Sequence, residues 1–218
     1  MSTDPPSPPG PAPTTVVFDL GNVLVRWEPE RAWAHLDAAE VDAFRTEVDF
    51  RTWNLAMDAG RSSADAVSRL EREAPAHAHV GRAYVERFLD TLAGPVPGTR
   101  AVLEELSAAG VRLLALTNWS AELFDRAGDV LEEVVGLSTF EDVVVSGRER
   151  LAKPDPALFA RVLERFGLEP AATAFVDDSP ANVDAAAGLG LRAVLFTGAG
   201  ALRRDLAGMG LPVAATGG

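Results

Sequence analysis

Five short apolar runs recur along the chain, at 16–20, 111–116, 143–145, 173–176 and 192–196. Runs of this length without polar alternation predict strands buried on both faces of a parallel sheet. Helical patterns fill most of the intervals, at 99–109, 121–135, 156–166 and 180–189. Each ends at a glycine, namely Gly110, Gly136, Gly167 and Gly190. Glycine just past a helix end takes the left-handed turn that closes the helix. Alternating strand and helix predict an α/β fold, a doubly wound parallel sheet with helices on both faces.

The alternation breaks once. Residues 26–94 show helical spacing at 30–36, 40–50, 63–73 and 80–92, and no strand is expected among them. So long a connection is not a loop inside a compact domain. It predicts a small helical cap domain at 26–94, inserted between core segments 14–25 and 95–218. Gly94-Pro95-Val96-Pro97-Gly98 reads as the return hinge. Residues 1–13 carry six prolines, Pro5, Pro6, Pro8, Pro9, Pro11 and Pro13, and read as a disordered or extended lead.

Composition narrows the classes. The 218 residues fit one large domain or a domain with an insert, and a 47% hydrophobic fraction supplies a core. No apolar run approaches the ~20 residues that cross a bilayer, so no membrane partner is expected. No signal-like segment precedes Thr14, and the absence of cysteine excludes disulfides and thiolate chemistry. A cytoplasmic protein is the expectation. A net charge of −12 argues against nucleic acid, which demands Lys/Arg patches. A small anionic substrate remains compatible if the site itself carries cations.

Four polar stations stand at or just after the carboxyl ends of predicted strands: Asp19, Thr117-Asn118, Lys153-Pro154 and Asp177-Asp178. Ligand sites of open parallel sheets lie beyond those ends. Each station alone has a plain structural reading as a turn acid, a helix cap, an exposed turn or a helix start. Adjacent carboxylates at a strand end repel, however, and call for a cation. Together the four make a coherent set. Asp19, Asp177 and Asp178 supply hard oxygen ligands suited to Mg²⁺, with the Gly21 carbonyl as a further ligand. Lys153 and Thr117 would hold phosphoryl oxygens, beside Asn118. Asp19 would attack phosphorus to form an aspartyl-phosphate that water hydrolyses.

On these motifs the chain resembles the haloacid dehalogenase superfamily, in its subgroup with a helical cap after the first motif. Asp19-Leu20-Gly21-Asn22-Val23 resembles motif one and Leu116-Thr117-Asn118 motif two. Lys153-Pro154-Asp155-Pro156 resembles motif three and Phe175-Val176-Asp177-Asp178 motif four. The resemblance implies a Rossmann-like core, a mobile cap and Mg²⁺-dependent phosphatase activity on a small phosphorylated metabolite. Gly21 departs from it. Many family phosphatases carry there an aspartate acting as general acid and base, a group typically worth ~10²–10⁴-fold in rate. Motif one with glycine does resemble members acting on sugar phosphates, including an α-glucose-1-phosphate phosphatase. Glycine argues against a phosphomutase and leaves the proton to water or to a cap residue.

Two other readings stand beside the phosphatase. A 2-haloacid dehalogenase would use the same aspartate without a metal, and the Asp177-Asp178 pair counts against it. A non-catalytic phosphate-binding relative is motivated by Gly21. A receiver domain shares the residue types but has its acidic pair first in the chain. The cap should choose the substrate, with Trp27, Glu28, Trp53, Met57 and Arg61 as candidates, and with Trp27 and Arg61 as the expected substrate contacts. His77 and His79, with no third ligand nearby, read as exposed cap-turn residues. A monomer or homodimer is expected.

Overall fold

The structure is a computed structural model and describes residues 11–214. In chain order, β1 (Thr15–Phe18) and β2 (Val25–Trp27) are followed by α1 (Ala38–Glu47), α2 (Phe50–Asp58), α3 (Ser63–Glu73) and α4 (Ala78–Glu86). The chain returns through β3 (Leu92–Pro95) and α5 (Thr99–Ala108) to β4 (Arg112–Thr117), α6 (Ala121–Val134) and β5 (Asp142–Val145). It closes with α7 (Ser146–Glu149), α8 (Pro156–Phe166), β6 (Thr173–Asp177), α9 (Pro180–Gly188), β7 (Arg192–Leu195) and α10 (Ala199–Gly208).

The main sheet has the order β5-β4-β1-β6-β7, and every pairing in it is parallel. The apolar runs explain it. Val16 and Phe18 of β1 face one hydrophobic cluster and Val17 the other. A strand whose two faces are both covered must be apolar at every position. Successive strands are laid down outward from β1 on one side, then on the other. The reversal falls between β1 and β6, which puts the switch point between the ends of those two strands. No helix among the described residues is long and apolar enough to cross a membrane.

The helical insertion folds around aromatic rings. Phe44 stands edge-on to Trp33 and Trp53, and Phe50 stands edge-on to Trp33 and Tyr84, with ring centroids 5.1–5.8 Å apart. The Trp33 indole N–H donates to the Val80 carbonyl at 2.9 Å, so the buried ring is not left with an orphan donor. These rings belong to the same buried cluster as one face of the sheet.

Several details differ from the sequence reading. Residues 26–94 were expected to hold no strand, yet β2 and β3 pair antiparallel at the root of the insertion, with Val25 opposite Pro95 and Trp27 opposite Leu92. Strands this short, one containing Gly94 and Pro95, carry no readable alternation, and each finds its partner across the whole insertion. The helix expected at 40–50 stops at Glu47. Asp49, at φ 54°, turns the chain and caps a separate helix, α2, by accepting from Thr52 N and Thr52 Oγ1. The 30–36 segment is a 3-10 turn over Pro29–Trp33. His77 is half-buried against Phe44 and pairs with Glu47 at 3.0 Å, while His79 is exposed beside Glu40. Most of the 1–13 lead lies outside the described residues. Within them Pro13 is buried and the Pro11 carbonyl accepts from Arg192.

Phe44 is fully buried among these rings. Phe44→Ala is expected to cost about 3–5 kcal/mol through lost contacts and a cavity. Urea unfolding measures it, and a loss under about 1 kcal/mol would mean that the rings repack freely.

Candidate active site

The four stations converge at the carboxyl edge of the sheet. Asp19 follows β1, and its backbone N–H donates to the Val176 carbonyl at 2.8 Å, which ties the β1 and β6 ends together. Lys153 is buried, at 2% exposure, so every N–H of its ammonium must find a partner inside the protein. It finds three: the Leu116 carbonyl at 2.8 Å, Asp19 Oδ1 at 2.9 Å and Asp177 Oδ2 at 2.6 Å. Asp177 is buried too, and its Oδ1 accepts from Ser179 N and Asn182 Nδ2, both at 2.9 Å. The Asn118 amide donates to the Lys153 carbonyl and accepts from the Lys153 N–H, both at 2.8 Å. That two-point clamp fixes the backbone carrying the lysine.

The charges do not balance among themselves. Burial pushes the Asp19 carboxyl up to about 7; Lys153 lowers it, and Asp177 and Asp178 raise it. Burial and the Asp177 charge also raise Asp178. Burial works against the Lys153 ammonium, but Asp19 and Asp177 outweigh it and hold it above the ordinary lysine value. Three carboxyls thus share one lysine.

A cavity of about 580 Å³ opens over this centre. Its core side is lined by Asp19, Gly21, Thr117, Asn118, Lys153 and Asp178, and its other side by Trp27, Arg51, Asn54, Asp58, Tyr84 and Phe88. Asp177 sits behind Lys153 and does not line the cavity. Asn118, expected to touch substrate, lines the cavity with its amide spent on the Lys153 backbone. Trp27, expected to touch substrate, lines the cavity. Arg61 is not among the lining residues. The preceding Gly60, at φ +98°, packs against Gly147 and Arg150 of the core. Arg51, one helix earlier, takes the cavity-facing position instead. Trp53 donates to the Ala66 carbonyl at 3.2 Å inside the aromatic cluster, Met57 is fully buried, and Glu28 pairs with Arg26 and Arg31. None of these three lines the cavity.

Asp58 was missed by the sequence reading. It is buried at the end of α2, with its Oδ2 accepting from Asn54 at 3.0 Å. Burial pushes its carboxyl up to about 7; the Ser120 backbone N–H lowers it, Asp19 raises it and Lys153 lowers it. Ser146 was missed as well. Its hydroxyl donates to the Asp58 carbonyl at 2.6 Å and accepts from Trp119 N at 2.9 Å, pinning the end of α2 to the loop after β4. Without α2, neither residue had a signal in the sequence.

The donor set fits a hard divalent cation. One carboxylate oxygen each from Asp19, Asp177 and Asp178 lies within 4.8 Å of the others. Three carboxylates against one ammonium leave a local excess of negative charge, which oxygen-seeking Mg²⁺ would offset. Asp19, Asp178 and Gly21 reach the cavity, whereas Asp177 already serves Lys153, Ser179 and Asn182.

A parallel sheet with an inserted helical unit and an Asp–Lys–Asp centre at its switch point defines an α/β protein built to work with a buried carboxylate. A family model described as haloacid dehalogenase-like hydrolase matches residues 13–190, and the chain belongs to that family. It is similar to flavin mononucleotide hydrolase 1 of Arabidopsis thaliana, 30% identical over 121 residues, 53% of this chain and 46% of that protein. The match thus spans less than half of that relative's length. It is 28% identical over 211 residues to a phosphatase of Mycobacterium tuberculosis, covering 90% of this chain and 95% of that one. Among solved structures it resembles a haloacid dehalogenase family enzyme from Bacteroides thetaiotaomicron in a magnesium complex. The TM-score there is 0.68 at 21% identity, covering 87% of this chain and 95% of the other. This likeness shows the shared fold.

Gly147 tests how tightly this region is built. A Cβ there would lie 2.6 Å from Ala121 N and 2.8 Å from the Trp119 carbonyl, both backbone atoms. Gly147→Ala is expected to lower stability by about 1–3 kcal/mol, read by chemical denaturation, because backbone cannot swing aside as a side chain can. An unchanged midpoint would show that α7 and this loop are not closely fitted.

Proposed function

We propose that the protein is a Mg²⁺-dependent phosphatase of small phosphorylated metabolites that works through an aspartyl-phosphate on Asp19. The observation that carries this reading is the carboxylate of Asp19 facing the cavity with one oxygen engaged by the buried Lys153. Phosphoryl transfer needs an in-line nucleophile and neutralised charge more than covalent help from the protein. Bound at Asp19, Asp178 and the Gly21 carbonyl, Mg²⁺ would offset negative charge on the transferring group and keep the carboxylates ionised.

The chain's own residues do the rest. Lys153 orients Asp19 through Oδ1, which leaves Oδ2 for attack on phosphorus. Thr117, at the end of β4, receives a phosphoryl oxygen. Asn118 keeps Lys153 in register. The cavity volume suits a small metabolite rather than a polymer. Trp27 and Asn54 offer a flat apolar face and an amide to the remainder of the substrate, and Arg51 favours a substrate with a second anionic group. The dehalogenase alternative is weaker, because three carboxyls facing one ammonium favour a cation and an anionic phosphoryl group.

The test is phosphate release from p-nitrophenyl phosphate and a metabolite panel, with Mg²⁺ and with chelator. Turnover that requires Mg²⁺ is expected, together with a loss of at least about 10³-fold in Asp19→Asn. Absence of turnover alongside phosphate binding would favour the non-catalytic relative. Halide release from 2-haloacids in chelator would favour the dehalogenase.

A further inference from the structure

The proposed chemistry moves a proton twice, and the turn after Asp19 carries no side chain to move it. Gly21 lines the cavity, and a Cβ built on it meets no atom within 4 Å. The space where a second acid would stand is therefore open. The other acidic residues lining the cavity, besides Asp19 itself, are Asp178 and Asp58. Asp178 belongs to the candidate metal set. Asp58 does not.

We propose that Asp58, delivered from the insertion by α2, gives a proton to the leaving oxygen and takes one from the attacking water. The inference rests on the phosphatase reading above. Asp58 lines the same cavity as Asp19, Lys153 and Thr117 and is buried at 8% exposure. It is held from three sides, one of them the Ser120 backbone N–H on its carboxyl. Asn54 Nδ2 bonds its Oδ2, and the Ser146 hydroxyl bonds its carbonyl while accepting from the loop that follows Thr117. A carboxyl buried beside another carboxylate favours its protonated form, which suits a group that must begin as an acid.

The steps balance. Asp19 attacks phosphorus, the bond from phosphorus to the leaving oxygen breaks, and the proton of Asp58 passes to that oxygen. Alcohol leaves, and Asp58 remains as carboxylate. Water then attacks the aspartyl-phosphate at phosphorus and the bond from phosphorus to Asp19 breaks. The water's proton returns to Asp58, and phosphate departs.

The experiment is a series of aryl phosphates of increasing leaving-group pKa, from p-nitrophenyl to phenyl phosphate, on the full-length protein with Mg²⁺. The ratio kcat/KM reports only steps through departure of the leaving group. With Asp58 supplying the proton, it varies little along the series in the wild type. In Asp58→Asn it is expected to fall steeply, by ~10²–10³-fold for phenyl phosphate and much less for p-nitrophenyl phosphate. The same variant should release a burst of nitrophenolate equal to the enzyme present, because hydrolysis of the aspartyl-phosphate becomes slow. Asp58→Glu, which keeps the carboxyl, should retain the flat dependence. A uniform fall across the series, or none, overturns the proposal. If Asp58→Asn does not melt cooperatively, Asp58→Ser is read on the same series. Asp19→Asn separates the two claims. If it remains as active as the wild type, the phosphatase reading itself fails. If it is inactive while Asp58→Asn follows the wild-type slope, only the assignment of Asp58 fails.

Discussion

The buried ammonium of Lys153 is the constraint on which the rest of the structure depends. Taking a lysine out of water costs several kcal/mol unless each N–H is met and the charge is paired. Here three different strand ends meet it: the Leu116 carbonyl of β4, Asp19 after β1 and Asp177 of β6. Removing any one would leave a buried group unsatisfied. The arrangement therefore holds β1, β4 and β6 in register at the edge where chemistry is to occur. The partners of the partners are fixed in the same way, Asp177 by Ser179 and Asn182 and the Lys153 backbone by Asn118. Because Asp177 and Lys153 largely settle each other, Asp19 and Asp178 are left as the carboxyls of the sheet edge that face the cavity, opposite Asp58 of the insertion.

The insertion completes the cavity that the sheet begins. Its root is the two-stranded ribbon of β2 and β3, and its far contacts are hydrogen bonds to the core. Ser63 N–H donates to Glu122, Arg126 donates to the Val85 and Glu86 carbonyls, and Ser146 donates to the Asp58 carbonyl. These ties set α2 across the sheet edge, so that Arg51, Asn54 and Asp58 look onto the same space as Asp19. The cavity is thus walled on one side by the sheet edge and on the other by the insertion.

Much of this was legible along the chain because it is encoded locally. A short apolar run with no polar alternation, bounded by turn residues, fits a strand covered on both faces, and glycines just after helical runs mark where they stop. The polar stations at strand ends stand out because adjacent carboxylates there repel and call for a cation, and because the four occur together at strand ends. Asp19, Lys153, Asp177 and Asp178 were singled out that way, and the structure brings them together. Arg61 had no strand end to mark its place, and it does not line the cavity.

The sequence by itself determined the parallel sheet with a helical insertion and marked the polar residues at its strand ends, since periodicity and strand ends are properties of neighbouring positions. Only the tertiary structure decided the β2–β3 ribbon, the separate helix α2, the choice of Arg51 over Arg61, and the presence of Asp58 beside Asp19. Each of these depends on contacts between residues far apart in the chain, and the free energy that selects them comes from burial and paired charge rather than from local preference. Asp58 is an ordinary helix acid in the sequence. Its carboxyl is pushed up to about 7 only once folding has removed it from water and set it near Asp19.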